Sequence, residues 1–349
     1  MLGGGIWITQ NKVLPGSYIN FVNTNTGGAL FGERGIVAIV LPLGATNAGK
    51  VITCEVNDFI QKPNEILGAN VPENSMKALR EIFKHANTVH VFNSYSDDTA
   101  PTVGTACAAL EPYDFNIIAA YTSEKTDIDT YISQVKTWRD NYGKKCQLVV
   151  YNAEDPDHEG VINVVSTVSD EGADAHALVA WVAGAEAGCD VNASCTNKKY
   201  DGEYTVNVNK TQSELEACIT GGQIAFHLVY GDVRVLEDIN SLTTTTAEKG
   251  IDFMSNQTIR ICDQIANDIA KLFNTRYLGI VPNDRAGRAS LWGDIVKHHR
   301  NLETLRAIQD YDPSLLTVEQ GDTKKSVVIT DVINPVNAMA QLYMTVVVQ

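Results

Sequence analysis

No two of the seven cysteines, Cys54, Cys107, Cys146, Cys189, Cys195, Cys218 and Cys262, stand at CxxC spacing. That removes the usual signature of a structural zinc site or a disulfide framework. Most of them lie in apolar stretches, where a thiol behaves as a small hydrophobe. Cys189 and Cys195 are spaced to bridge or to bind a metal together, but no third and fourth ligand stands beside them, so reduced thiols in a cytoplasmic protein are expected. Long apolar runs are missing too: none reaches the roughly 18 residues that span a bilayer. The opening "MLGGGIWITQNK" has neither the basic n-region nor the apolar core of a signal peptide. Positive charge is scarce, with 27 Lys and Arg against 42 Asp and Glu and a formal charge of −15. Such a balance repels phosphate backbones and anionic lipid, so neither nucleic acid nor membrane is an expected partner. GxSxG, HExxH and Cys–His arrangements are absent. The chain is therefore read as no enzyme, with no catalytic residue, cofactor or metal.

What is present is ordinary globular composition: 349 residues, 44% hydrophobic and 20% charged, too long for one comfortable core and too apolar for disorder. Residues 1–27 read as an arm, with a strand candidate "SYINFV" that carries Tyr18, Ile19, Phe21 and Val22, followed by the linker "NTNTGG". Residues 28–87 read as a small β-rich region with strands in "GIVAIVLPL" and "KVITCEV". Residues 88–240 read as an α/β domain. Its helix at 126–142 opens on a Thr126/Asp129 capping box and stops at Gly143, and its 173–188 stretch is apolar almost all round. A hairpin around a Gly-Asp turn is expected in 223–239. Residues 241–333 form a C-terminal unit with helices at 258–274 and 285–309, the second capped by Asp284, and a strand at 325–333. Residues 334–349 form a last strand beyond a flexible joint expected at Asn334–Pro335, and in it Leu342, Met344, Val346 and Val348 alternate with mixed residues. The fold class is a multidomain α+β or α/β chain with a central α/β layer.

Three segments invite chemistry. "GATNAGKV" at 44–51 fits GxxxxGK, but Val51 stands where a P-loop needs Ser or Thr, and a β-branched run follows where a helix is needed. A glycine-rich hairpin turn is the plainer reading, with a nucleotide-binding protein or enzyme as the alternative. "EDPDHEG" at 154–160 sets four carboxylates around His158 and reads as a solvated acidic loop. His298 and His299 are adjacent, so on a helix they diverge by about 100° and are not expected to share a metal. The 285–309 helix carries Arg285, Arg288, Lys297, Arg300 and Arg306 against Asp294 and Glu303, a local basic excess suited to an acidic partner.

Longer stretches carry a resemblance. "GGGIWITQNKVLPGSYINFVN", "WVAGAEAGCDVNASCTNKKYDG", "GDVRVLEDINSLTT", "GRASLWGDIVKHHRNLETLRAI" and "VNAMAQLYMTVVV" resemble, in order along the chain, the contractile-tail sheath proteins of Gram-positive phages and phage-like R-type bacteriocins. The resemblance implies a structural subunit stacked as six-membered rings around an inner tail tube. It implies further contacts with baseplate and tail terminator proteins, assembly in the bacterial host cytoplasm, and a place in the released phage tail or bacteriocin particle. It implies that the terminal arms, through Tyr18, Ile19, Phe21 and Val22 at one end and Leu342, Met344, Val346 and Val348 at the other, complete a mixed sheet by strand exchange between subunits. It places the last third against the tube, with Arg285, Arg288, Lys297 and Arg300 as candidate tube-facing residues.

Overall fold

A computed structural model describes residues 32–348. Tyr18, Ile19, Phe21 and Val22 lie outside the described residues.

Strands β1 (Ile36–Leu41) and β2 (Val51–Glu55) precede helices α1 (Val56–Gln61), α2 (Pro63–Leu67) and α3 (Glu73–Ile82). Then come β3 (Thr88–Asn93), α4 (Val103–Leu110), β4 (Ile117–Ala119), α5 (Lys125–Thr137, continued by a π turn to Tyr142), β5 (Gln147–Tyr151) and β6 (Val161–Val164). Helices α6 (Leu178–Ala187) and α7 (Gln212–Thr220) and strands β7 (Gln223–Ile224), β8 (Phe226–Val229) and β9 (Asp232–Val235) complete the first two thirds. The last third holds α8 (Asn256–Leu272), α9 (Arg285–Thr304), β10 (Thr317–Gln320) and β11 (Val327–Thr330).

Seven strands make one sheet in the order β2-β3-β1-β4-β5-β6-β7, parallel except for the antiparallel edge strand β2. Apart from the edge strand β2, the long strands are buried on both faces, as continuous β-branched runs in parallel sheets are. Helices α3 and α6 cover one face and α4 and α5 the other. Because β1 lies between β3 and β4, residues 36–55 share a layer with 88–224, and the boundary expected at 87 runs through one continuous sheet. Helix α6 is buried at all ten positions, as its apolar circumference requires. Gly184 and Gly188 let it lie against the chain after α3, where a Cβ would meet the carbonyl oxygens of Ile82 and His85 at 2.3 and 2.1 Å.

Local signals are partly moved. Helix α5 begins at Lys125 behind Glu124 without a side-chain cap, so Thr126 sits inside the first turn and bonds nothing as a cap. Its end at Gly143, φ +72°, is as expected. The β8–β9 turn is Tyr230–Gly231, both at positive φ, one residue earlier than the Gly-Asp pair, because Val229 pairs with Asp232. Asp284 does cap α9, its carboxylate accepting from the Gly287 amide at 2.7 Å.

Helix α8 joins the two halves. Its apolar side, with Ile261 and Leu272, packs with Leu302, Leu291 and Ile295 of α9. Its opposite side is polar and equally buried, against the α/β layer. There Asp263 forms a two-pronged bond to Arg139 at 2.6 and 3.0 Å. Arg260 reaches Glu186 at 2.5 Å and Asp238 at 3.2 Å. Asn256 accepts from Gln147 at 3.0 Å, and Asn267 donates to the Lys145 carbonyl at 2.9 Å. Among the described residues, no helix is long and apolar enough to cross a membrane.

Candidate functional site

The final segment is held at its root and free beyond it. Pro335 pairs with Ile308 in an antiparallel bridge. The Gln309 amide donates to the Asn334 carbonyl and the Val336 amide to the Ala307 carbonyl, both at 2.9 Å. Gln257 of α8 then imitates a neighbouring strand, its Nε2 donating to the Val336 carbonyl at 3.1 Å and its Oε1 accepting from the Ala338 amide at 2.9 Å. Asn334–Pro335 is therefore pinned, not the joint that sequence suggests, and the chain leaves the body after Ala338. Residues 339–348 form neither helix nor strand and belong to no ladder of the described chain. Leu342 is 86% exposed, Met344 76%, Val346 69% and Val348 90%. Met339, Tyr343 and Val347 on the other parity are exposed as well.

The last third also holds the two-stranded antiparallel sheet β10–β11, with Val328 and Ile329 exposed. Each strand pairs only with the other among the described residues, so each keeps one open edge. A cleft of about 400 Å³ separates β10 from the start of α9, lined by Arg285, Arg288, Trp292, Val318 and Glu319 among others.

The candidate tube-facing residues divide. Arg285 and Lys297 are exposed, and Arg300 is exposed with an ion pair to Glu303 at 2.6 Å. At 100° per residue these three fall within about 120° of one another on α9. Arg288 is turned inward to the Asn283 carbonyl and side chain at 3.1 and 3.0 Å, where it braces the loop before the helix.

Two family models match most of the chain. Residues 97–241 match the phage tail sheath protein central domain, and residues 248–349 match the phage tail sheath C-terminal domain. The chain belongs to the phage tail sheath family. A protein of Bacillus subtilis (strain 168), named as uncharacterized, is 31% identical over 71% of this sheath chain and 57% of its own length. The tail sheath protein of a Clostridium phage, phiCD119, is 30% identical over 50% of this chain and 49% of its own. The chain spans little more than half the length of the first of these relatives. In structure it resembles the sheath tail protein of Desulfitobacterium hafniense, with TM-score 0.76 and 26% identity, covering 93% of this chain and 98% of that one. It also shares the fold of the anti-feeding prophage helical sheath in its contracted state, with TM-score 0.70 and 15% identity over 96% and 99% of the two chains.

The remaining motifs of this sheath chain do other work. The 44–50 loop is followed by strand β2, and because β3 lies between β1 and β2 it crosses over a strand and is no hairpin. Its polar groups are used internally. Asn93 accepts from the Leu43 amide at 3.0 Å and donates to the Gly44 and Thr46 carbonyls at 2.8 and 2.9 Å. The Gly49 amide donates to the Asn93 carbonyl at 2.8 Å and the Lys50 amide to the Asn47 carbonyl at 3.1 Å. A phosphate would have to displace these bonds, without the dipole of a following helix.

The 154–160 segment is only half solvated: Glu154 and Asp155 are exposed, while His158 and Glu159 are buried beneath the 241–249 loop. Asp157 accepts from the Thr243 and Thr244 amides, and Glu159 pairs with Lys249 at 2.8 Å. Asp140, His158 and Glu159 converge as metal ligands would. However, His158 Nδ1 accepts from the Gly160 amide at 2.9 Å, so the neutral ring carries its proton on Nε2 and has no lone pair to offer there. In the second such group, Glu186, Cys195 and Asp238, the Arg260 guanidinium already supplies the cation. His298 and His299 bring their Nδ1 atoms to 3.4 Å, closer than helical divergence suggests. Each nevertheless turns its Nε2 to a carboxylate of its own, Asp268 at 2.8 Å and Asp331 at 2.9 Å.

Sequence reasoning missed the polar side of α8. Its signal was legible: Asn256, Arg260, Asp263, Gln264 and Asn267 recur at helical spacing opposite Ile261, Ile265, Ile269 and Leu272.

Proposed function

We propose that the chain is a structural, non-enzymatic subunit of a contractile tail sheath. The observation that carries this reading is the exposed apolar segment 339–348, clamped at its root by Gln257 and left without a strand partner among the described residues. Copies of the chain assemble as stacked hexameric rings around an inner tail tube, and each lends this segment as a strand to a neighbour. Each cross-strand pair contributes about 0.2–1 kcal/mol. Burial of Leu342, Met344, Val346 and Val348 adds up to roughly 1.5–3 kcal/mol apiece. A lattice repeats that link many times over.

Contraction drives the tube through the target envelope, on energy stored in a metastable extended lattice that relaxes to one with more buried surface. The exposed basic side of α9, through Arg285, Lys297 and Arg300, faces the tube. Baseplate and terminator proteins close the ends of the lattice. Assembly takes place in the host cytoplasm before release. The nucleotide-binding alternative has little support, since the 44–50 loop spends its amides on its own chain. Negative-stain microscopy of the purified protein tests the proposal: hollow tubes or rings are expected, and dispersed single subunits across protein concentrations and in the presence of tube would refute it.

A further inference from the structure

The first turn of α8 is polar, buried and divided between two tasks. Asn256, Gln257 and Thr258 are 0%, 2% and 2% exposed. Asn256 fastens the turn to the α/β layer. Its amide donates to the Asp238 carbonyl at 3.1 Å, and its side chain donates to the Ile239 carbonyl at 2.8 Å and accepts from Gln147. The next two residues hold the root of the terminal segment. Gln257 bonds Val336 and Ala338, and the Thr258 hydroxyl donates to the Asn337 side chain at 3.1 Å.

A glutamine side chain carries a donor and an acceptor on one plane, as a residue of a neighbouring strand does. In an extended chain, alternate residues turn their main-chain groups to the same edge. Along that edge residues 307–309 bond the Val336 amide and the Asn334 carbonyl, and Gln257 takes the next pair, the Val336 carbonyl and the Ala338 amide. A side chain therefore carries the pairing one rung further than the main chain does. Two consequences follow for the segment beyond it. Part of the backbone freedom that a strand must give up on joining a sheet is already gone at its root. Its register is also set: a slip of one residue would turn Leu342, Met344, Val346 and Val348 to the opposite face.

We propose that Gln257 is the positioning residue of the terminal segment, which it orders at the root and holds in one register for pairing with a second copy of the chain; this role rests on the strand exchange proposed above. Gln257 touches no partner subunit in this role. It acts through residues 336–338, and its own place is fixed by Asn256 beside it. The direction in which the segment leaves is thereby tied to the body of the subunit, and so is the face that Leu342, Met344, Val346 and Val348 present to the receiving sheet.

The test uses the full chain and two readouts: amide hydrogen exchange of the unassembled subunit, and the protein concentration at which tubes sediment. In Gln257→Ala the Ala338 amide should exchange faster, while the Gln309 and Val336 amides, bonded elsewhere, keep their wild-type rates. Its tubes should need about tenfold more protein, as the loss of two hydrogen bonds implies. Unchanged exchange at Ala338, or tubes at the wild-type concentration, would overturn the proposal. Gln257→Glu keeps the shape and decides the matter where the alanine variant does not fold. At about pH 8 its carboxylate has no proton to give the Val336 carbonyl, so assembly should be as weak as with alanine; at about pH 5.5 the acid, its pKa raised by burial, donates and accepts as glutamine does, and assembly should approach that of wild type at the same pH. A role in packing alone would give no such recovery, and a deficit equal at both pH values would count against the proposal. If wild type itself formed no tubes, strand exchange and this role would fall together, whereas a protected Ala338 amide would leave only the clamp.

Discussion

At the scale of single residues, stability is concentrated in charges taken out of water. Burial works against the Arg139 charge, but Asp263 outweighs it and holds the guanidinium protonated. Around Arg260 the charges are unequal: burial first, then the neighbouring Asp238, raises Glu186 well above the usual carboxylate range, whereas Asp238 stays ionised beside the guanidinium. Arg260 contacts both carboxylates, Glu186 at 2.5 Å and Asp238 at 3.2 Å. Removing one member of a buried pair strands the other, at a cost of about 3–5 kcal/mol. Asp263→Ala should therefore lower the denaturant midpoint far more than exposed Asp98→Ala; equal midpoints for the two variants would show the pair to be of no consequence. Asp157 is the acid-sensitive group. Burial disfavours its charge, but the Thr243 and Thr244 amides prevail and lower it to about 2. Its contribution is present above about pH 4, the usual unfolded value, and is lost as pH falls through about 2. The melting temperature of Asp157→Asn should lie below wild type at neutral pH and converge with it near pH 2; a constant gap would count against the assignment.

At the scale of elements, the proposal gives the exposed segment and the basic helix separate jobs. Deleting 338–349 removes side chains that pack against nothing in their own subunit, so the truncated protein should keep its circular dichroism and melting temperature. It should also form neither sheath nor polysheath by electron microscopy, and normal tubes from it would refute strand exchange. Reversing the charge of Arg285, Lys297 or Arg300 should leave the fold intact and weaken assembly on tubes, most strongly at low salt, where exposed charges act over about 30 Å at 0.01 M. Arg288→Glu should instead destabilise the loop around Asn283. If all four reversals lowered tube assembly alike, with unchanged melting, that division of roles would fail.

At the scale of the whole molecule, α8 ties the α/β layer to the C-terminal helices through a polar side and an apolar side, both covered, so the described chain has little freedom to bend between them. On the proposed function, movement in a contracting lattice belongs to the links between subunits, and its energy to the change in buried surface. Contraction should proceed in buffer without ATP, and Lys50→Ala should neither slow it nor reduce assembly. Dependence of contraction on added nucleotide would reverse this reading.

Much of this was legible in the residues. The continuous β-branched runs fixed a buried parallel sheet, the all-round apolar 173–188 stretch a covered helix, Asp284 a helix start and Gly143 a helix end, because each is a local preference that short-range sterics and capping enforce. The alternation in 338–349 reads as a strand, but among the described residues that segment has no strand partner and forms neither helix nor strand. Tertiary structure decided what depends on partners distant in sequence. It placed β1 between β3 and β4, pinned Asn334–Pro335 to residues 307–309 and moved the joint beyond Ala338. It also buried His158 and Glu159 beneath residues 241–249, and turned Arg260 and Asp263 of an ordinary-looking amphipathic helix toward Glu186, Asp238 and Arg139. A polar side chain announces its need for a partner in the sequence, but whether water or another residue meets that need is settled only when the chain has packed.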